Sequence, residues 1–408
     1  MKCFGCFLGF ASLFVLINLS VFAQDSPKKA PSALRMTPSD TIHRTAAKTV
    51  GDFPFLEYGM GEDRLGGAKM TFLDTGIVLN VVDSVGSRYK VQLSRLHHAF
   101  IPKNNVEIVD PVAVREGINL TKSWHVSGDE NYDYLRVALD KKLPYRSMQQ
   151  INPNRIVLDV FGATSNTNWI TQLKSVKEIK NVYHEQVEED VFRVIIELNS
   201  KQHWGYQIYY QGSSLVVRVK RHPERFRMKN LKIAVDAGHG GSATGAVGST
   251  GAQEKEYTLL FAKELEALLA RKGIETVMTR TEDVDVSMTE RLNHLLEEDP
   301  TVLISLHLNS ASRESAKGVS TYYRYIGFKP MTEYILDRML DLGLDEFGNI
   351  GSFNFSLSGP TEYPNCLVEI AFISNKEDEQ RIMDPKFHKQ VAKQIYKGIR
   401  DWLKASRN

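Results

Sequence analysis

Four residues far apart in the chain have the side chains that metal-assisted hydrolysis needs: His239, Glu254, His307 and Glu369. His239 follows the apolar run Ile233-Ala234-Val235-Asp236-Ala237, which breaks into Gly238, Gly240 and Gly241. That pattern reads as a buried strand feeding a sharp turn. The carboxyl ends of strands in α/β sheets are where ligands and chemistry collect. Glu254 stands just ahead of a helical pattern. His307 ends a second apolar run, Val302-Leu303-Ile304-Ser305-Leu306, and Glu369 interrupts a third, Cys366-Leu367-Val368-Glu369-Ile370. Two histidines and a carboxylate fill three corners of a zinc tetrahedron and leave the fourth for water. A further glutamate then handles the proton. Taken singly, either histidine reads as a satisfied core or turn residue, and Glu254 as charge compensation at a helix N-terminus. Glu369 is different, because a charge in an apolar strand is costly unless it is paired or functional. Its rival role is an ion pair with Arg280 or Arg291.

The segment from about Leu231 to Leu403 resembles the zinc-dependent N-acetylmuramoyl-L-alanine amidases of the type-3 fold, which cut peptidoglycan. The likeness rests on Asp236-Ala237-Gly238-His239-Gly240-Gly241 and on Gly251-Ala252-Gln253-Glu254-Lys255. It continues in Thr279-Arg280-Thr281-Glu282-Asp283, Arg291, Ser305-Leu306-His307-Leu308-Asn309 and Gly318, and ends in Pro364 to Glu369 and Phe372-Ile373-Ser374-Asn375. The resemblance implies zinc held by His239, Glu254 and His307. Glu369, buried beside the zinc water, is suited to take its proton and return it to the leaving amine. Asn309, two residues past His307, faces the same side of an extended chain and is a candidate substrate contact. Arg280 is a second candidate, although structural pairing suits both Arg280 and Arg291 better. Two departures stand out. The family's usual Asp-Pro pair is Ala243-Thr244 here, and Leu308 replaces a smaller residue, which would narrow the cleft. Some relatives carry a blocking helix before the last catalytic strand. The stretch from Gly318 to Pro364 is compact, so the expected enzyme is uninhibited and controlled by targeting.

The elements needed to position these residues alternate. Strands are expected at Ile233 to Val235, Ile274 to Met278, Val302 to Leu306, Val319 to Tyr325 and Leu367 to Ala371. Helices are expected at Tyr257 to Lys272, Met288 to Leu296, Met331 to Leu342 and Phe387 to Leu403. This alternation predicts an α/β domain over 230–405, with a mainly parallel sheet flanked by helices. His294 and His388 match no ligand position and read as surface residues.

Two small all-β domains are expected ahead of it, making the chain multidomain. Residues 1–23 read as a secretory signal with cleavage after Ala23, too short for an uncleaved span. Residues 24–50, rich in Ser, Pro, Lys, Thr and Ala, read as a linker. Over 51–110, short strands around Gly76 to Val82, Arg88 to Leu93 and Val106 to Val109 suggest a small barrel. This unit resembles bacterial wall-associated Src-homology-3-type domains through Tyr89-Lys90-Val91-Gln92-Leu93 and Phe100-Ile101-Pro102-Lys103. His97-His98 is not a metal pair, because adjacent strand residues face opposite ways. Over 115–221, alternating runs such as Arg155-Ile156-Val157-Leu158-Asp159-Val160 argue a β-sandwich. That unit is similar to the amidase N-terminal targeting domain, most closely at Asn152 to Ala163, and the likeness implies binding to the cell wall or septal machinery. Residues 221–230 read as a second linker.

The 408 residues carry a formal net charge of +2 and 42% apolar side chains. These values support packed cores and no strong pull toward nucleic acid. Cys3 and Cys6 would leave with the signal, so Cys366 would be alone in the mature chain, a buried small hydrophobe. The expected protein is exported to the periplasm or cell envelope, without stable membrane insertion. The amidase resemblance implies hydrolysis of peptidoglycan between N-acetylmuramic acid and L-alanine, using Zn2+, with a septal activator or wall scaffold as partner. The competing readings are a zinc peptidase acting within the stem peptide and a non-catalytic wall-binding protein.

Overall fold

The computed structural model describes residues 45–61, 66–110 and 118–407. The signal at 1–23, the linker up to residue 44 and the boundary near 115 lie outside them.

Residues 45–109 form one antiparallel sheet of seven strands. Its first strand, Thr45–Thr49, corrects the linker expected over 24–50. The strand pairs on one side with Val78–Val85 and on the other with Val106–Val109. Ala46 and Ala47 are fully buried. A Thr-Ala-Ala-Lys-Thr run has no branched apolar residues to mark it as a strand. Its partners about thirty and sixty residues downstream define it.

The second unit is a β-sandwich. One sheet has five strands, with Tyr132–Val137 at its centre, and the other has four, with Arg155–Phe161 and Val191–Leu198 inside. Alternating inward residues such as Trp124, Val126, Leu135, Ile156, Leu158 and Phe192 fill the space between them. The same apolar core runs on without a break into the first unit, through Ala47, Leu79, Val91 and Ile101.

The third unit contains β1 (Lys232–Ala237), α1 (Glu254–Arg271), β2 (Glu275–Met278), α2 (Met288–Glu298) and β3 (Val302–Asn309). It continues with β4 (Val319–Tyr322), α3 (Lys329–Leu340), β5 (Glu346–Ile350), β6 (Asn365–Phe372), α4 (Lys376–Ile382) and α5 (Pro385–Ala405). The sheet order is β2-β1-β3-β6-β4-β5. The sheet is mixed: β4 runs antiparallel to β6, while the remaining four pairs are parallel. The sequence did not reveal β5: Glu346-Phe347-Gly348-Asn349-Ile350 has a central glycine and no buried position.

Strand alternation assigns the two faces. Ile233, Val235, Ile304, Leu306, Val368 and Ile370 pack under α1, α3 and α5, with Phe261, Ile335 and Ile395 opposite them. Ala234 and Leu303 face α2 through Leu292 and Leu295. Asp236, Ser305, His307 and Glu369 fall on this second face by the same period. His307 lies directly across from Glu369 in the β3–β6 register.

The corrected first strand carries a test. A chain beginning at Val50 leaves two strands without their shared partner, whereas one beginning at Thr45 keeps the sheet whole. A loss of about 1.4 kcal/mol raises the open population, and hence proteolytic cleavage, roughly tenfold. Limited proteolysis of the two truncations is expected to show at least that difference within residues 50–110, and equal rates would restore the linker reading.

Candidate metal centre

The turn after β1 brings the first histidine into place. His239 has φ 61°, in the left-handed region, and Gly240 and Gly241 follow at 132° and 56°. A side chain other than glycine rarely sits there. Two arginines fix the turn from below. Arg291, on α2, donates to the carbonyls of Ala237 at 2.8 Å and His239 at 2.6 Å. Arg280, after β2, donates to the carbonyls of Ala237 at 2.9 Å, Gly238 at 2.9 Å and Lys255 at 2.7 Å. The charge partner of Arg291 is Asp236, whose Oδ1 accepts from Arg291 at 2.5 Å and Thr279 at 2.7 Å. Asp236 Oδ2 accepts from Ser305 at 2.5 Å. Burial pushes the Asp236 carboxyl up, but the Arg291 charge and these hydrogen bonds outweigh it, and its pKa falls below the ordinary value.

Glu254 is the first residue of α1, where the helix dipole favours a carboxylate, and it is only 3% exposed. Its Oε1 accepts from Leu308 N–H at 3.0 Å and lies 3.0 Å from His307 Nδ1. Its Oε2 accepts from Ala246 N–H at 2.8 Å and lies 3.1 Å from His239 Nε2. Burial raises the Glu254 carboxyl. Hydrogen bonds from His239 and His307, with their charge, more than reverse this and hold it well below the usual carboxylate range. Burial lowers the His307 imidazole, while the Glu254 hydrogen bond and charge raise it to a net upward shift. Gly238 is required where it is: a Cβ there would lie 2.4 Å from His307 Cε1.

Ligand atoms of His239, Glu254 and His307 all lie within 4.8 Å of one another. His307 Nε2 is buried without a hydrogen-bond partner. Such an orphan is rare and asks for an explanation. Two imidazoles and one carboxylate, with room beside them, are the donor set of an open zinc site. The residues fit that metal.

Residues 233–401 match the family model described as N-acetylmuramoyl-L-alanine amidase, and residues 125–219 match the AMIN domain. The chain carries an amidase domain behind an AMIN domain. It is similar to a probable cell wall amidase, LytH, of Staphylococcus saprophyticus, with 32% identity over 47% of this chain and 65% of that protein. A Staphylococcus epidermidis protein of the same description is 35% identical over 43% of this chain and 60% of its own length. The chain thus spans less than two thirds of either relative. A solved N-acetylmuramoyl-L-alanine amidase, AmiC2 of Nostoc punctiforme, is 28% identical over 43% of this chain and 97% of that one, with a TM-score of 0.41.

In the amidase domain the cleft has a volume of about 430 Å³ and is lined by His239, His307, Ser287, Met288, Glu290 and Phe355 among others. Glu369, half-buried, stands on the strand beside His307. Arg280 takes the structural role that the sequence favoured for it: it is 3% exposed and its guanidinium lies beneath the turn, bonded to backbone carbonyls. Asn309 is half-buried at the end of β3, its Oδ1 accepting from Ser310 N–H at 2.8 Å. Leu308 does not narrow the cleft. It is 2% exposed and packs into the core on the opposite face. His388 is buried rather than superficial, with Nε2 2.6 Å from the Ile382 carbonyl and its ring against Phe261. The loop at Ala243-Thr244, which departs from the family pattern, is secured from across the cleft. Asp283 accepts from Gly241 N–H and Asp285 from Ser242, both at 2.8 Å. Sequence reasoning missed Phe355, whose ring centroid lies 5.4 Å from that of His307. No polar signal marked it.

Two substitutions test this account. Gly238→Ala must displace His307, and a chelator competition is expected to show at least ~10-fold weaker zinc binding, the scale at which orienting contacts act, with an unchanged circular dichroism spectrum. Arg291→Met leaves Asp236 buried without its counter-ion. Urea unfolding is expected to show a loss of about 3–5 kcal/mol.

Proposed function

We propose that the amidase domain is a zinc hydrolase that cleaves the amide between the lactyl group of N-acetylmuramic acid and the L-alanine of the peptidoglycan stem peptide. The observation that carries this is the convergence of His239, Glu254 and His307 within 4.8 Å, with Glu369 across from His307 on the next strand. The family match supports the choice of bond.

His239, Glu254 and His307 would hold the metal. Zinc supplies Lewis acidity, which polarises an amide carbonyl and brings the pKa of water toward ~7. Glu369 accepts the proton of the attacking water. The water oxygen bonds to the lactyl carbonyl carbon, the carbon–nitrogen bond breaks, and the proton on Glu369 passes to the departing alanine nitrogen. The products are a lactyl carboxylate and a free amine. His239 and His307 favour the ionised form of Glu254, and the N–H groups of Leu308 and Ala246 also donate to it, so it would remain a ligand and leave the proton traffic to Glu369. Asn309, at the end of the strand that carries His307, would contact the substrate.

The AMIN domain would bring this cleft to the wall, with a septal activator or wall scaffold as its partner, in the periplasm or elsewhere in the cell envelope. Among the described residues no helix is long and apolar enough to cross a membrane.

Digestion of purified peptidoglycan followed by mass spectrometry tests the reading. New lactyl carboxyl ends are expected. New ends between amino acids would instead mean a stem peptidase, and no products would mean a wall-binding protein. Glu369→Gln is expected to keep zinc and to lose about 10²–10⁴-fold in turnover, the range for a positioned general base. Full activity in that variant would remove Glu369 as the proton carrier.

A further inference from the structure

The segment between β5 and β6 is an aromatic strap held from outside the amidase domain. Phe355 stands edge-on to the His307 imidazole, with the ring planes at 83°. Phe353 stacks beside Phe355 and packs on Tyr322. Between the two phenylalanines, Asn354 reaches the first β unit. Its Nδ2 donates to the Gly67 carbonyl at 2.8 Å, and its Oδ1 accepts from Lys69 N–H at 3.2 Å. Lys69–Phe72 is an edge strand of the seven-stranded sheet. One planar amide therefore serves that open edge as a neighbouring peptide group would.

Further contacts surround this one. Arg324 donates to the Lys69 carbonyl. Phe72 lies so close to Gly359 that a Cβ there would be 2.4 Å from its ring. Phe53 joins the apolar cluster that holds Leu292, Leu357 and Phe355. The strap itself has little regular structure: Ser352 sits at φ 56° and only a 3-10 turn, Ser356–Ser358, follows. Segments of that kind open readily unless other contacts restrain them.

We infer that the first β unit braces one wall of the metal cleft: by gripping Asn354 it holds Phe355 against His307 and so sets the position of that imidazole. Asn354 and Phe355 are positioning residues that act through His307. The inference rests on His307 being a zinc ligand.

The full-length chain with Asn354→Asp tests it. The change keeps the shape of the side chain but turns a carboxylate oxygen toward the Gly67 carbonyl. Amide hydrogen exchange over residues 351–358 is expected to speed up at least ~10-fold. Zinc affinity, read by chelator competition, is expected to fall about 3–10-fold, short of the loss caused by a ligand's direct partner. Phe53→Ser removes a ring of the first β unit from the apolar cluster on which Phe355 also packs, a separate brace on the same strap, and is expected to act in the same direction, which covers the case of a misfolded Asn354 variant. Zinc uptake by the wild-type chain with no loss in either variant overturns the inference alone, even if exchange quickens. A wild-type chain that takes up no zinc removes the metal reading, and this inference with it.

Discussion

The geometry of the cleft depends on one buried ion pair, Asp236 with Arg291. Asp236 gathers hydrogen bonds from α2, from Thr279 after β2 and from Ser305 on β3. It therefore ties together the strands that carry the two histidines. Arg291 passes the constraint upward into the carbonyls of Ala237 and His239. Burying two charges is seldom the most stable solution, and apolar replacements often do as well or better. What the pair supplies here is geometry. A histidine at positive φ is held only where its surroundings over-determine it, and two guanidinium groups bonded to three successive carbonyls and a neighbouring helix provide that.

The placement of His307 and Glu369 was legible in the sequence because strand alternation is a strict period. Once β3 and β6 are strands, His307 and Glu369 must leave the core face that Ile304, Leu306, Val368 and Ile370 occupy. The same rule, applied to Leu308, would have sent it into the core rather than the cleft. Arg280 was harder. Its side chain folds back under the preceding turn, and whether a guanidinium reaches substrate or backbone depends on a close approach between segments 42 residues apart. His388 was misplaced because a single histidine on an amphipathic helix carries no sign of which neighbour will take its nitrogen. Here that neighbour is the Ile382 carbonyl at the end of α4, a short helix without a clear apolar period.

The elements that could not be read were those whose structure comes from partners. Thr45–Thr49 is a strand because two other strands flank it. β5 is a strand because β4 offers it an edge. Phe355 becomes part of the site only through a strap whose course is set by a side-chain amide pairing with a strand nearly 290 residues earlier in the chain. Local propensity has no access to such contacts, which exist only once separate units have docked.

The same point bears on where the amidase domain ends. The sequence drew a linker over 221–230, yet Phe226 packs on Trp204, and Trp204 sits in the core beneath α5 against Trp402, with ring centroids 5.2 Å apart. Trp204 belongs to the chain segment of the sandwich. Burying such an indole contributes about 4–6 kcal/mol at most. The seam also buries charge. Burial lowers Lys220 to about 7, and its ammonium lies 2.7 Å from Asp299. Burial likewise raises Glu362 to about 7. A Cβ on Gly205 would lie 2.1 Å from the Glu362 carbonyl oxygen, so only glycine lets the two backbones meet. Interfaces that come and go keep a wetter, more polar character. Apolar rings, desolvated charges and backbone contact are what a permanent joint requires. The physical unit that carries the cleft therefore extends past the amidase match at both the sandwich seam and the strap.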